Sequence, residues 1–383
     1  MRIAVTIETN RAHGRALLEG IGNYALSRPE WRLEAVGAEA LPDAAASGRF
    51  DGFLVRVMDD RTAEALRRSG RPAVDTYGRR DVADIPYIRL DDAGIARLAA
   101  RCFAEHRYAR CAYCGFPGLR FSEVRGEEFR AAVEQAGGEC AVYRGGERLR
   151  ETAVREERMS APPDAAPLRR WLRALRKPVA VFCCSDLRAL HLLGLCADMG
   201  IAVPREVAVL GCDDDTMLCT FATPPLSSID TDAVSLGREA AKMLDTMLAS
   251  GGTRADSALH RPRRVVERAT TDFYQVRTPW LSDALVHIRR HLGDGLNAEE
   301  LCRHLGYSHT TVNKAFRAEL GASVKGEILR QRLERACRLL RETDRTAAAI
   351  AAECGYSSAQ YFAHVFVARF STTPEQWRRS HPS

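Results

Sequence analysis

Hydrophobic and polar positions follow two different periods along the chain. Up to about residue 250, short apolar runs such as RIAVTI and VAVFCC alternate with segments whose apolar residues recur every three or four positions. The continuous runs predict parallel strands buried on both faces, and the longer spacing predicts the helices that cover them. Two such series, beginning at Arg2 and Arg110, predict an α/β fold of two doubly wound lobes with a ligand cleft between them.

The period changes after the strand-like run RVVER, and from Pro279 onward every pattern is helical. We therefore predict three segments: an α/β domain at 1–270, a linker at 271–283 and an all-α domain at 284–383. Within the α/β part, the charged and then proline-rich run at 150–167 predicts a long surface loop.

The all-α part contains a duplicated unit. The stretch GYSHTTVNKAFRAELGAS at 306–323 has a second version, GYSSAQYFAHVFVARFSTTP, that begins at Gly355. In each copy a short helix, a glycine turn and a second apolar helix predict a helix–turn–helix motif, at about 297–320 and 346–370. Asn297 and Glu300 have the spacing of a capping box at the start of the first motif.

A helix is predicted between the two motifs, at 324–340. Its 17 residues would span about 25 Å at 1.5 Å per residue. That length is of the right order to hold two recognition helices one DNA turn, about 34 Å, apart. A helical bundle without a partner is the alternative, but two copies joined by a rigid spacer favour DNA binding.

The outer faces of the two second helices carry polar side chains that can meet base edges and phosphates. Residues 278–383 also hold 15 Lys and Arg against 11 Asp and Glu, an excess of four out of the net charge of +6. This excess fits a polyanionic partner without requiring one. The candidate DNA-binding residues are His309, Thr310, Asn313, Lys314 and Arg317 in the first motif and Ser358, Ala359, Gln360, Ala363 and His364 in the second.

The C-terminal segment at 297–378 resembles the DNA-binding domain of the AraC/XylS family. The second motif carries the family's signature at Gly355, Tyr356, Tyr361, Phe362, Phe366, Phe370, Thr373, Pro374, Trp377 and Arg378. It departs at Ser371, where the family usually has glycine, and at Trp377, where tyrosine is more frequent. The resemblance implies an activator or repressor that inserts both recognition helices into successive major grooves of double-stranded operator DNA.

The first 270 residues resemble the effector-binding core of LacI/GalR regulators, which has the type I periplasmic-binding-protein fold, without the usual N-terminal DNA headpiece. The stretches that carry the resemblance are 182–215, 223–244 and 261–272. It implies a small sugar bound between the lobes, and the joining of such a sensor to an AraC-type reader implies D-xylose or a related pentose, with a non-pentose effector as the alternative. It also implies a homodimer formed through the first lobe, and contact with RNA polymerase if the protein is an activator.

Polar residues that follow predicted strands are the candidate sugar ligands, because planar polar groups bind vicinal hydroxyls and an aromatic ring covers the apolar sugar face. The family resemblance makes Arg125 and Asp213 the strongest of them. Asp91 and Asp186 precede helices, so capping is an equal alternative for both. The candidates are Glu8, Asn10, Arg11, Asp91, Phe116, Arg125, Ser185, Asp186 and Asp213.

Catalytic, metal and cofactor motifs are absent from the sequence. There is no G-x-G-x-x-G after the first strand, no G-x-x-x-x-G-K-[ST], no G-x-S-x-G and no H-E-x-x-H. The C-x-x-C at Cys111 to Cys114 lies in a predicted strand without a second pair. We therefore predict no enzyme activity, no cofactor and no metal.

The sequence also bears on where the protein acts and on whether it is a transport protein. No apolar run approaches the ~18 residues of a membrane helix, and the N-terminus reads as a strand rather than an export signal. These features predict a cytoplasmic protein without a membrane partner. They also argue, together with the duplicated motif, against a transport-type sugar-binding protein.

Overall fold

The protein is described here by a computed structural model that covers residues 1–78, 82, 84–145, 164–251 and 255–380. The chain forms two compact units, Met1–Thr271 and Asp272–Ser383. Residues 150–163 of the predicted loop lie outside the described residues, and residues 165–167 are helical, so the loop prediction is wrong at its end.

The first unit alternates strands and helices, as the apolar runs predict. Its elements in chain order are β1 (Arg2–Thr6), α1 (Ala12–Ala25), β2 (Arg32–Ala35), α2 (Leu41–Ala46), β3 (Gly52–Val55), α3 (Asp60–Ser69), β4 (Ala73–Asp75), β5 (Ile88–Leu90), α4 (Asp92–Glu105), β6 (Arg110–Cys114), α5 (Arg120–Gln135), β7 (Glu139–Val142), α6 (Ala165–Ala174), β8 (Val179–Cys183), α7 (Asp186–Asp198), β9 (Val207–Cys212), α8 (Thr216–Phe221), β10 (Ser227–Asp230), α9 (Ala233–Ala249), β11 (Ala258–His260) and β12 (Arg264–Val266).

Two separate sheets define two lobes. The first lobe has a parallel sheet of order β2-β1-β3-β4. The second lobe has the order β12-β10-β9-β8-β6-β7, parallel except where β10 meets β12. In each sheet the chain leaves its first strand to one side and then to the other, which opens a crevice at the carboxyl ends of those strands. The predicted α/β two-lobe fold is confirmed.

Each lobe has its own apolar core. In the first lobe, Ile3 and Leu54 of the sheet pack with Leu17 of α1 and Leu236 of α9, all of them buried. The chain thus returns to the first lobe with α9 after it has built strands β6–β10 of the second lobe. The continuous apolar strands are buried because helices cover both faces of each sheet.

The second unit is helical. Its helices are α10 (Pro279–Arg290), α11 (Ala298–Leu305), α12 (His309–Leu320), α13 (Val324–Glu342), α14 (Ala347–Glu353), α15 (Ala359–Phe370) and α16 (Pro374–Ser380). The stretch predicted as a linker, 271–283, is therefore already helical from Pro279. Proline is suited to this first helical position because its missing N–H would have no partner there.

The long helix α13 belongs to two cores at once. Its first half contributes Val324 and Ile328 to a core with Phe316 of α12. Its second half contributes Leu333 to a core with Phe366 of α15. At 1.5 Å per residue, its 19 residues span about 28 Å. One continuous helix thus supports both predicted motifs.

The capping box predicted at Asn297 and Glu300 is confirmed, and serine side chains cap the second helix of each motif. The Asn297 side chain accepts hydrogen bonds from the N–H groups of Glu299 and Glu300, and the Glu300 carboxylate accepts from the Asn297 N–H at 3.0 Å. Ser308 caps α12 by accepting from the Thr311 N–H. Ser358 caps α15 in the same manner.

Candidate functional site

A cavity of about 110 Å³ lies where the carboxyl ends of both sheets face each other. Residues that follow β1, β3, β4, β8 and β9 line it, as expected at the carboxyl edges of doubly wound sheets. Its lining residues are Glu8, Asn10, Arg11, His13, Gly14, Arg56, Met58, Thr76, Tyr77, Arg89, Leu90, Asp92, Arg120, Phe121, Arg125, Ser185 and Asp213.

The cavity brings together most of the residues proposed as ligands from the sequence. Those that line it are Glu8, Asn10, Arg11, Arg125, Ser185 and Asp213. The other three proposed ligands, Asp91, Phe116 and Asp186, are not among its lining residues. The strand pattern in the sequence therefore located the cleft, but it did not identify every side chain that lines the cleft.

Asp91 is a cap and not a lining residue. Its carboxylate accepts a hydrogen bond from the Gly94 N–H at 2.8 Å and lies 3.5 Å from Arg97. The next residue, Asp92, lines the cavity instead. The first turn of α4 turns successive side chains by about 100°, so one step along the chain decides which carboxylate reaches the cleft.

Asp186 and Phe116 have structural roles inside the second lobe. Asp186 accepts hydrogen bonds from Ser228 Oγ at 2.5 Å and from the Asp215 N–H at 2.7 Å, and burial raises its pKa. The Phe116 ring is buried beneath the guanidinium of Arg188, 4.7 Å from the ring centre. Both residues therefore pack inside the second lobe and do not line the cavity.

Ion pairs organise the cavity wall. Arg125 is almost fully buried; its Nε donates to Asp92 at 2.8 Å and its Nη1 donates to the Cys184 carbonyl at 2.6 Å. On the first lobe, Arg56 Nη1 donates to Glu8 at 3.0 Å. These bonds hold the two guanidinium groups in fixed positions at the cavity.

The pKa values of two lining residues are displaced. Burial, together with the positive charges of Arg56, Arg125 and Arg11, lowers the pKa of His13 to about 3. Burial also raises the pKa of Asp213 to about 6, against the opposing effect of Arg125 and Arg11. The imidazole is therefore neutral at pH 7, and the Asp213 carboxyl group titrates closer to neutral pH than an exposed aspartate does.

Several lining residues were not predicted from the sequence. Arg56 directly follows β3, and its position after a buried strand was a usable signal. Arg89 lies within β5, where its side chain stacks on Tyr87 at 4.2 Å. Arg120 is the first residue of α5, and nothing in its local sequence distinguishes it from a surface arginine.

The proposed DNA-binding residues lie on the outer faces of α12 and α15. The exposed ones are His309, Thr310, Lys314, Arg317, Ser358, Ala359, Gln360 and His364. Ala363 and Asn313 are partly buried. Both helices thus present polar surface along the face opposite their aromatic core residues.

Asn313 has partners inside its own motif. Its Oδ1 accepts a hydrogen bond from the Val324 N–H at 3.1 Å, and its Nδ2 donates to the His309 carbonyl at 3.2 Å. The side chain therefore ties α12 to the start of α13. Reading a base would require Asn313 to exchange at least one of these bonds.

The two motifs border one groove. His309, at the start of α12, and Tyr361, in the first turn of α15, both line a cavity of about 600 Å³. Lys325 and Arg332 of α13 line it between them. The N-terminal ends of α12 and α15 therefore lie on the same side of α13.

Comparisons with known proteins agree with the division of the chain into an α/β unit and a helical unit. A family model for periplasmic binding protein-like domains matches residues 100–271, and one for helix-turn-helix domains matches residues 301–380. The chain joins these two kinds of domain. The Xylose operon regulatory protein of Escherichia coli K12 is 28% identical over 98% of this chain and 96% of its own length. Its counterpart from Haemophilus influenzae is 27% identical, covering 98% of both chains.

Solved structures extend the similarity. The structure of the xylose-binding transcription activator xylR covers this whole chain and 98% of its own, with 27% identity and a TM-score of 0.61. The transcriptional regulator CelR in complex with cellobiose covers 70% of this chain and 84% of its own, at 23% identity and a TM-score of 0.57, and it shows the fold of the first unit. The full-length relatives are transcriptional regulators with this domain order.

The described part of the chain contains no helix both long enough and apolar enough to cross a membrane. Over the same residues, no group of three or more His, Cys, Asp or Glu side chains has the arrangement of a metal site.

Proposed function

We propose that the protein is a sequence-specific DNA-binding transcriptional regulator controlled by a small sugar, D-xylose or a related pentose, bound between the lobes of the first unit. The observation that carries the proposal is the pairing, in one chain, of a polar cleft cavity with two helix–turn–helix motifs on one rigid helix. Full-length similarity to the xylose operon regulatory proteins supports both halves.

Control by a sugar requires that the ligand bind two arrangements of the protein with different affinities. The cavity lies between two lobes that carry separate sheets, so a ligand that contacts both would favour the closed arrangement. Arg125 of the second lobe and Glu8 with Arg56 of the first are the contacts we propose for its hydroxyl groups. Ser185 and Asp213 complete the set from the second lobe.

On the DNA side, we propose that α12 and α15 enter successive major grooves. Thr310, Lys314 and Gln360 would approach base edges, and Arg317 a phosphate. We further propose that the protein acts in the cytoplasm as a homodimer without enzyme activity. If it activates transcription, it would also contact RNA polymerase.

The test is the affinity of the full chain for a DNA site selected from random sequence, measured with and without D-xylose, L-arabinose and D-ribose. We expect one sugar to change the dissociation constant by about 5- to 150-fold, the usual range of coupling between two sites. DNA affinities that stay the same with every sugar, at matched salt concentration, would refute sugar control but leave DNA binding intact.

A further inference from the structure

His13 lines the cavity of the first unit, at the second position of α1. Its ring nitrogen Nδ1 is buried, and no described residue donates a hydrogen bond to it or accepts one from it. Buried polar atoms in native proteins nearly always have a hydrogen-bond partner, so each exception needs a specific reason. When the exception belongs to a side chain that lines a ligand cavity, a group of the ligand is the natural partner.

The other buried histidine of this unit shows what a structural role requires. His106, at the end of α4, is 1% exposed. Its Nδ1 donates to the Cys102 carbonyl at 2.8 Å, and its Nε2 lies 3.4 Å from the Glu267 carboxylate. The protein itself thus supplies partners on both sides of that ring. His13 lacks such a partner at Nδ1, so its imidazole is not held in the wall in the same way.

The backbone that carries His13 is nevertheless held firmly. A Cβ atom at Gly14 would lie 1.8 Å from the Glu8 carbonyl oxygen, so the start of α1 packs directly on the segment that follows β1. Arg15 adds a hydrogen bond from its Nη1 to the Thr9 carbonyl at 3.0 Å. The imidazole therefore projects from a fixed point, while rotation about its Cβ–Cγ bond can present either nitrogen to the cavity.

The protonation state of His13 suits a hydroxyl group. Its pKa, lowered to about 3, keeps the imidazole neutral at pH 7. One nitrogen of a neutral imidazole donates a hydrogen bond and the other accepts one, whereas a guanidinium group only donates. A hydroxyl group both donates and accepts, so it can pair with whichever nitrogen faces it.

From its place in the cavity wall and the missing partner of Nδ1, we infer that the imidazole of His13 hydrogen-bonds a hydroxyl group of the bound sugar and determines specificity at that hydroxyl. The inference rests on the proposed function, because it adds a contact in the same cavity. The bond forms only when the ligand is present, so it contributes to affinity and not to the stability of the ligand-free protein. A sugar that lacks this hydroxyl leaves the imidazole unpaired and is rejected.

The experiment is calorimetric titration of the full chain with a pentose and its monodeoxy analogues, each of which lacks one hydroxyl. The pentose is the one of D-xylose, L-arabinose and D-ribose that binds most tightly. His13→Leu should weaken binding of this pentose by about tenfold, as expected for one lost hydrogen bond in a buried site. It should also remove the penalty for one analogue, the one that lacks the hydroxyl bonded to His13, and retain the penalties for the others.

Conservative variants test the hydrogen bond itself. His13→Asn places an amide near the position of Nδ1, and His13→Gln places one near Nε2. We expect one of the two to bind the pentose within about threefold of the unmodified chain. The control on the same helix is Glu19→Leu, an exposed position where the same exchange of polar for apolar should leave affinity unchanged.

Thermal unfolding without ligand distinguishes a ligand contact from a structural role. His13→Leu removes an unpartnered buried nitrogen and should leave the unfolding temperature unchanged or raise it. His106→Leu removes a side chain with partners on both sides and should lower the unfolding temperature by about 3 °C or more.

The outcomes separate this inference from the proposed function. Unchanged affinity of His13→Leu for the pentose, or a uniform loss that leaves every deoxy penalty in place, overturns the contact while sugar control stands. Failure of both the Asn and the Gln variants to bind more tightly than the Leu variant also overturns it. If no pentose binds the unmodified chain, the proposed sugar site fails, and the contact fails with it.

Discussion

Replacing Arg125 with alanine is expected to abolish sugar binding and to lower the free energy of unfolding of the first unit by about 3–5 kcal/mol. The stability loss arises because Asp92 would remain buried without its partner, and breaking one side of a buried ion pair costs about that much. Differential scanning calorimetry measures the stability change, and titration with the effector measures binding.

A double variant distinguishes the two effects of this change. Asp92→Leu combined with Arg125→Met replaces the pair by apolar side chains of similar volume, which is often neutral for stability. We expect the double variant to regain most of the lost stability and still fail to bind sugar. If it regains binding as well, Arg125 supports the fold and does not contact the ligand.

Changing Gly355 to alanine is expected to destabilise the second motif by about 4 kcal/mol or more, a cost typical of severe backbone strain. Gly355 has φ of 74°, and a Cβ atom there would lie 2.0 Å from the backbone oxygen of Leu292. Because the oxygen belongs to the main chain and the backbone fixes the position of the Cβ atom, neither can move aside by rotating a side chain.

The equivalent glycine of the first motif is the matched control. Gly306 has nearly the same φ, 71°, but nothing lies within 4 Å of a Cβ atom built there. Gly306→Ala should therefore lower the free energy of unfolding only by the cost of placing alanine in the left-handed conformation, about 1–2 kcal/mol. Chemical denaturation and DNA binding of both variants check the comparison. Equal costs would mean that the contact with Leu292 does not constrain the turn.

Local signals made the helical unit predictable. The capping box at Asn297, the serine caps at Ser308 and Ser358 and the two glycine turns act over three or four residues, so the sequence displays them directly. The long helix was predicted at 324–340 and extends to Glu342, because terminal residues carry weak boundary signals.

The cavity was predictable only in part. Residues that follow buried strands, such as Glu8 and Asn10, could be inferred because parallel strands end at one edge. Choosing Asp92 over Asp91 depends on the rotation of a single helical turn, and Arg89 and Arg120 reach the cavity through tertiary packing. The local sequence pattern therefore does not predict which of these side chains reach the cavity.

Asn313 illustrates a similar limit in the helical unit. Its polar character and its place on α12 suggested base contact, but its amide is bonded to the Val324 N–H and the His309 carbonyl. A side chain that joins two elements cannot be recognised from one helix alone. Lys314 and Gln360, both exposed, are therefore the better probes of DNA contact.

We propose that α13 holds two DNA-reading helices on one side, so that each subunit of the proposed dimer contacts two successive major grooves. Hydroxyl-radical footprinting of the full chain on its selected DNA site, with Lys314→Ala and Gln360→Ala as probes of the two helices, tests it directly. We predict two protected segments per subunit, about 34 Å apart, and each variant should weaken only one of them. A single protected segment per subunit, or one segment weakened by both variants, would contradict the claim.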